Sequence, residues 1–174
     1  MDKHQILNRG KEVLSQESEA ISGARERLGL SFSKAVDFLF HCQGKVITTG
    51  MGKSGHIAQK VAATLSSTGT PAFFLHPSEA LHGDFGMLGK KDCLLAFAQG
   101  GETREVLAVA EFARSVPVPV VSITGKLESS LAQKSDAVMD SGVDKEADLL
   151  DLAPTSSSTV ALALGDALSV VLMQ

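Results

Sequence analysis

Gly44-Lys45-Val46-Ile47-Thr48-Thr49-Gly50-Met51-Gly52-Lys53-Ser54-Gly55-His56 is a short apolar strand that runs into a glycine-rich turn and then opens a helix. Glycines at 50, 52 and 55 let the backbone turn tightly and approach a ligand, while the free N–H groups at the start of the following helix point at an anion. Lys53 and Ser54 add a cation and a hydroxyl, so the stretch reads as a phosphate seat. The string fits Gly-x-Gly-x-x-Gly, but the P-loop pattern wants a glycine at position 47, which is Ile47. A dinucleotide fold wants an acidic residue about 20 positions on, at the end of the second strand. That strand, Pro71-Ala72-Phe73-Phe74-Leu75, ends instead at His76-Pro77-Ser78-Glu79, where Glu79 is a poor fit. A plain structural turn explains the glycines as well; otherwise a small phosphorylated ligand remains.

Outward from this turn the chain alternates strand and helix. Apolar residues recur at helical spacing over 3–27 (Ile6, Leu7, Val13, Leu14, Ala20, Ile21, Ala24), which predicts a long amphipathic helix ahead of the first strand. Ser31 is placed to cap a second helix over 32–42, with Val36, Leu39 and Phe40 inward and Gly44 as its stop. Strands are expected at 45–48, 71–75, 92–97, 118–123 and 136–140, and helices near 54–67, 78–82, 102–115, 127–134 and 155–173. Cys93-Leu94-Leu95-Ala96-Phe97-Ala98 and Val118-Pro119-Val120-Val121-Ser122-Ile123 are unbroken apolar runs, the mark of strands covered on both faces. The expected architecture is α/β: a doubly wound three-layer α-β-α sandwich around a five-stranded parallel sheet, with ligands at the carboxyl ends of the strands.

Composition narrows the partners. A chain of 174 residues with 44% hydrophobic content buries a full core as a single domain over 1–174. The net charge of −4, the absence of Trp and Tyr and the lack of a basic cluster argue against nucleic acid. No window approaches the roughly 20 apolar residues of a membrane span, and Met1-Asp2-Lys3-His4-Gln5 begins no signal core. The expectation is therefore no membrane and a cytoplasmic location. Cys42 and Cys93 share no metal-type spacing and read as reduced core thiols.

Each strand end carries a polar cluster: 50–56 after the first, His76 to Asp84 after the second, Gln99-Gly100-Gly101-Glu102-Thr103-Arg104-Glu105 after the third, 124–130 after the fourth, and Asp144-Lys145-Glu146-Ala147-Asp148 after the fifth. The last helix starts at Pro154-Thr155-Ser156-Ser157-Ser158-Thr159. Each has a plainer reading. Glu102 and Glu105 suit the first turn of any helix, Thr155 to Thr159 suit a cap, and His76 and His82 lack the i, i+4 spacing of a zinc pair.

Taken together, Gly50-Met51-Gly52-Lys53-Ser54-Gly55-His56, Ser67-Thr68-Gly69-Thr70-Pro71, His76-Pro77-Ser78-Glu79-Ala80, His82-Gly83-Asp84 and Leu152-Ala153-Pro154-Thr155-Ser156-Ser157 resemble the sugar isomerase (SIS) domain of bacterial arabinose-5-phosphate isomerases. The resemblance covers nearly the whole chain. It implies an aldose–ketose isomerase that interconverts D-arabinose 5-phosphate and D-ribulose 5-phosphate. That is the first step toward Kdo, the acidic sugar of lipopolysaccharide and some capsules, and family members are typically homotetramers. The reaction moves a proton between C1 and C2 through an enediol, which needs a base, an electrophile and a phosphate grip. A positioned base contributes about 10²–10⁴ in rate, and the grip fixes geometry. No metal or organic cofactor is required.

Position by position, the resemblance makes Lys53 the active-site lysine and Ser54 a phosphate-contacting serine. It makes Glu105 and Glu146 the acid/base candidates. It further places Gly52, Gly55, His82, Gly100, Gly101, Thr103, Thr155 and Ser156 in substrate binding, and assigns an inhibitory zinc to His76. Two departures stand out. The family's usual Ser-Asn-Ser-Gly-Glu reads here Ala98-Gln99-Gly100-Gly101-Glu102, so two phosphate-holding hydroxyls are missing. Full-length members also continue into a segment with an active-site histidine, and often into paired CBS domains, which positions 1–174 do not contain. An alternative therefore stands beside the isomerase: a non-catalytic regulatory domain that binds a phosphosugar or nucleotide-sugar in the same pocket. A nucleotide-binding oxidoreductase half is disfavoured by the leading helix. The apolar faces of the first and last helices predict self-association.

Overall fold

The computed structural model describes residues 2–173. Helix α1 (Lys3–Arg27) begins at a capping box in which Asp2 accepts from the Gln5 N–H and the Gln5 side chain accepts from the Asp2 N–H, each at 2.9 Å. Helix α2 (Leu30–Phe40) follows. Then come β1 (Val46–Gly50), α3 (Lys53–Ser67), β2 (Ala72–Phe74), the short α4 (Pro77–Leu81) and a 3-10 turn over Asp84–Met87. The chain continues with β3 (Cys93–Phe97), α5 (Arg104–Ser115), β4 (Val120–Thr124), α6 (Ser130–Gln133), β5 (Ala137–Asp140) and α7 (Ser156–Val171).

The five strands form one all-parallel sheet in the order β2-β1-β3-β4-β5. Successive residues of each central strand face opposite layers. Val46, Leu95, Phe97, Val121 and Ile123 pack under α1, α2, α3 and α7. Ile47, Leu94, Ala96 and Val120 pack under α4, α5 and α6. Strands β1, β3 and β4 are buried throughout, as the apolar runs at β3 and β4 led one to expect, whereas edge strand β5 alternates. The expected doubly wound sandwich is the fold observed, and the chain reverses direction across the sheet between β1 and β3, the topological switch point where such sheets bind ligands. Among the described residues no helix is long and apolar enough to cross a membrane.

The second helix differs from its sequence reading. It starts two residues earlier than expected, with Gly29 at the N-cap. Ser31 is no cap; its hydroxyl donates to the Val138 carbonyl and accepts from the Val138 N–H at 2.9 Å, tying α2 to β5. Phe40 is 64% exposed, whereas Leu39 is buried as expected, with Ala35 beside it and Val36 half-buried against the core. Gly44 does not end the helix, which stops at His41. It lets the backbone pass Asp92, whose Oδ1 would lie 2.2 Å from a Cβ there. Asp92 accepts from the Lys45 N–H at 2.9 Å, the Gly89 N–H at 2.8 Å and Lys45 Nζ at 2.9 Å, clasping the start of β1 to β3. Burial pushes the Asp92 carboxyl up, but these bonds outweigh it and hold it below its ordinary range. Cys93 is buried and Cys42 half-buried; both are free, and burial beside Cys42 pushes the Cys93 thiol far up.

Candidate active site

The three glycines of the first loop do two different jobs. Gly52 takes φ 59, a left-handed conformation that side chains disfavour. Gly50 and Gly55 instead permit contact between strand and helix: a Cβ on Gly55 would sit 2.6 Å from the Gly50 carbonyl oxygen, and one on Gly50 2.8 Å from that of Ser54. The result seats the N-terminus of α3 directly against the end of β1. Gly52 offers no side chain as a cap, and the N–H groups of Lys53 and Ser54 meet no acceptor among the described residues. Helix α5 is likewise uncapped by its Thr103. Uncapped N-termini of two long helices at a switch point form a seat for anionic oxygens. Lys45 is paired with Asp92 and Lys60 with Asp166, while Lys53 lies exposed at this seat with no acidic partner among the described residues.

A narrow cleft opens beside this seat. It is lined by Lys53, Ser54, Ala98, Gln99, Ser141 and Ser157 among others, with Phe97, Ile123 and Ile57 as its apolar floor. Two of the expected site residues, Lys53 and Ser54, line it directly. Gly52 and Gly55 shape the same loop. Gly100, Gly101 and Thr103 belong to the adjoining loop after β3, and Glu105 is half-buried in the first turn of α5, where it accepts no hydrogen bond among the described residues.

Glu146 is held from another direction. The Thr155 N–H and Oγ1 donate to it at 2.8 and 3.1 Å, the Ser157 N–H at 3.1 Å, and the Ser157 hydroxyl completes the set. Burial raises the Glu146 carboxyl, but the bonds from Ser157 and Thr155 prevail and leave it below its ordinary range. Its carboxylate thus caps α7, in contrast to the open starts of α3 and α5. Thr155, expected at the ligand, also accepts from the Ala147 N–H at 2.8 Å, so its hydroxyl is occupied within the chain. Ser156 is buried, and its Oγ lacks a partner among the described residues. Glu102, exposed, caps α6 by accepting from the Ser130 N–H at 2.8 Å, and this bond lowers its pKa.

His76 and His82 flank α4 at its N-cap and C-cap positions. His82 is exposed, whereas His76 Nδ1 is buried without a partner among the described residues. Among the described residues no three His, Cys, Asp or Glu side chains converge as a metal set. Zinc takes four ligands, so these residues alone do not fit the zinc expected at His76.

Four polar cleft residues escape the sequence reading: Gln99, Ser141, Ser157 and Ser158. Gln99, Ser157 and Ser158 stand inside polar clusters whose other members carry the expected roles. Ser141 directly follows β5, upstream of the cluster read as that strand's contribution, and only the register of β5 against β4 reveals it.

This geometry has close counterparts. Arabinose 5-phosphate isomerase GutQ of Salmonella typhimurium is 46% identical over 97% of this chain and 53% of its own length. Arabinose 5-phosphate isomerase KdsD of Escherichia coli K12 is 47% identical over 95% of this chain and 50% of its own length. The chain thus spans about half the length of the curated relatives it matches. Among solved structures, E. coli CFT073 c3406 in complex with arabinose 5-phosphate superposes with a TM-score of 0.95 at 40% identity, covering 99% of this chain and 92% of that one. The family model of the SIS domain matches residues 39–171, from the end of α2 through α7. The chain belongs to the SIS domain family.

Proposed function

We propose that this chain, as a single SIS domain, interconverts D-arabinose 5-phosphate and D-ribulose 5-phosphate. The observation that carries the reading is the open N-terminus of α3, where the Lys53 and Ser54 amides, the Lys53 ammonium and the Ser54 hydroxyl meet at the mouth of one cleft. The names of the similar proteins and the sugar-phosphate complex of the similar structure support it. The phosphate docks at that seat and fixes the sugar. Glu105, whose carboxylate accepts no hydrogen bond among the described residues, takes the C2 proton and returns it to C1. Lys53 stabilises the charge that develops on the carbonyl oxygen O1, which takes up the proton that the O2 hydroxyl gives up as C2 becomes the ketone. Glu146 orders the start of α7, and its hydrogen bond turns Ser157 into the cleft wall.

The proton transfer balances without a metal or an organic cofactor, and activity is expected to persist in chelator. The family's place at the head of Kdo formation for lipopolysaccharide or capsule, a cytoplasmic location and a homotetramer belong to the same reading. Exposed Ile6, Leu7 and Leu14 on α1, with Val170 and Val171 at the end of α7, support self-association.

A binding-only regulatory domain is the second reading. It is favoured by the saturated Glu146 carboxylate and by Ala98 and Gly100 where hydroxyls were expected. Formation of ribulose 5-phosphate from arabinose 5-phosphate separates the two: turnover supports the isomerase, and sugar-phosphate binding without turnover supports the regulator.

A further inference from the structure

Gln99 stands where β3 leaves the sheet, and it is tied down at both ends. Its carbonyl accepts from the Gly125 N–H at 2.9 Å and from Thr124 Oγ1 at 3.3 Å, joining it to the end of β4. Its side chain reaches on to the exit of β5. There the Ser141 hydroxyl donates to Oε1 at 2.9 Å, and Nε2 donates to the Ser141 carbonyl at 3.3 Å. Ser141 is 1% exposed, so this partner is fixed in the interior. The amide lies over Gly125, where a Cβ would come within 2.3 Å of Nε2. One residue therefore links the carboxyl ends of three adjacent strands, β4 through its carbonyl and β5 through its side chain.

The far side of the same turn is fixed independently. Gly101 takes φ 68, its N–H donates to the Ala98 carbonyl at 3.0 Å, and its carbonyl accepts from the Leu131 N–H at 3.1 Å. Between these anchors only Gly100 is open. It is exposed, a Cβ there would meet nothing within 4 Å, and its N–H has no acceptor among the described residues.

We propose that Gln99, which lines the cleft, is a positioning residue for the phosphate seat: by clasping Ser141 across the ends of β3, β4 and β5, it holds the N–H of the next residue, Gly100, beside the cleft as a fixed donor to the ligand's phosphate. A backbone donor then does what hydroxyls at 98 and 100 would do. A donor held in place before binding loses little freedom when the ligand arrives, which is where preorganised sites gain affinity. This role rests on the sugar-phosphate reading above.

The test uses Gln99→Met, which keeps the volume over Gly125 but removes both side-chain bonds, and Ser141→Ala, which removes one of them from the other side. Each is expected to raise the KM for arabinose 5-phosphate and the inhibition constant for inorganic phosphate by about tenfold or more, the scale of one hydrogen bond to a charged group. The kcat should stay within about twofold of the parent, since uniform binding is what is lost, and the pH profile should not move. The double variant should be no worse than the worse single one, because both remove the same clasp. Thermal midpoints confirm that the variants are folded. A folded Gln99→Met protein with unchanged phosphate inhibition overturns the proposal, as does a fall in kcat at constant KM. If the parent protein turns over no sugar phosphate, the isomerase reading fails by itself, and calorimetric titration of the same variants with inorganic phosphate still decides the role of Gln99.

Discussion

Glu105 and Glu146 look interchangeable in the sequence, as two acidic residues each within a polar cluster at a strand end. Their surroundings separate them. Glu146 accepts four hydrogen bonds from Thr155 and Ser157 and is held below the ordinary glutamate range, which makes it a weak base and a strong cap. Glu105 has no such partners. Replacing Glu105 by Gln should therefore lower kcat by about 10²–10⁴ with little change in KM. Glu146→Gln should mainly loosen α7, lowering stability by about 1–3 kcal/mol through unsatisfied donors. Steady-state kinetics and denaturant titration of both variants check this, and equal losses of kcat in the two would contradict the division of roles. No sequence pattern distinguishes a carboxylate that caps from one that is free, because the distinction depends on which N–H groups the fold brings to it.

At the scale of elements, the glycines record where backbones meet. Gly165 in α7 faces Val61 in α3, and a Cβ there would lie 2.4 Å from Val61 Cγ2, so the two helices that wall the cleft are packed at close range. Gly165→Val should cost about 1–3 kcal/mol by overpacking, measured as a lower denaturation midpoint. A neutral effect would mean the helices part without strain. The order of elements and the buried central strands were legible because unbroken apolar runs and glycine turns are local signals. The second helix was less so: Ser31 reads as a cap but bonds β5, and Phe40 reads as core but faces solvent. Both depend on contacts distant in the chain. The first loop was legible as a glycine turn into an uncapped helix. The Gln99–Ser141 clasp was not, since its partners lie 42 residues apart.

For the whole molecule, the depressed carboxylates set the acid limb of stability. Asp92 and Glu146 have folded pKa values below their ordinary 3.8 and 4.5. As pH falls past those ordinary values, the unfolded chain takes up protons first, so the stabilisation present at neutral pH is lost progressively until the folded groups also titrate. The unfolding free energy should therefore be flat near neutrality and fall below about pH 4.5. Asp92→Ala should lower the plateau and flatten the acid limb. An acid limb unaltered by that substitution would show that the clasp between β1 and β3 contributes nothing to it. The proposed function rests on one event, transfer of a proton between neighbouring sugar carbons. Incubation of the protein with D-arabinose 5-phosphate in deuterium oxide, followed by NMR, tests it directly. The account predicts that ribulose 5-phosphate appears with solvent deuterium at C1, whereas arabinose 5-phosphate that binds and remains unchanged and unlabelled would contradict it.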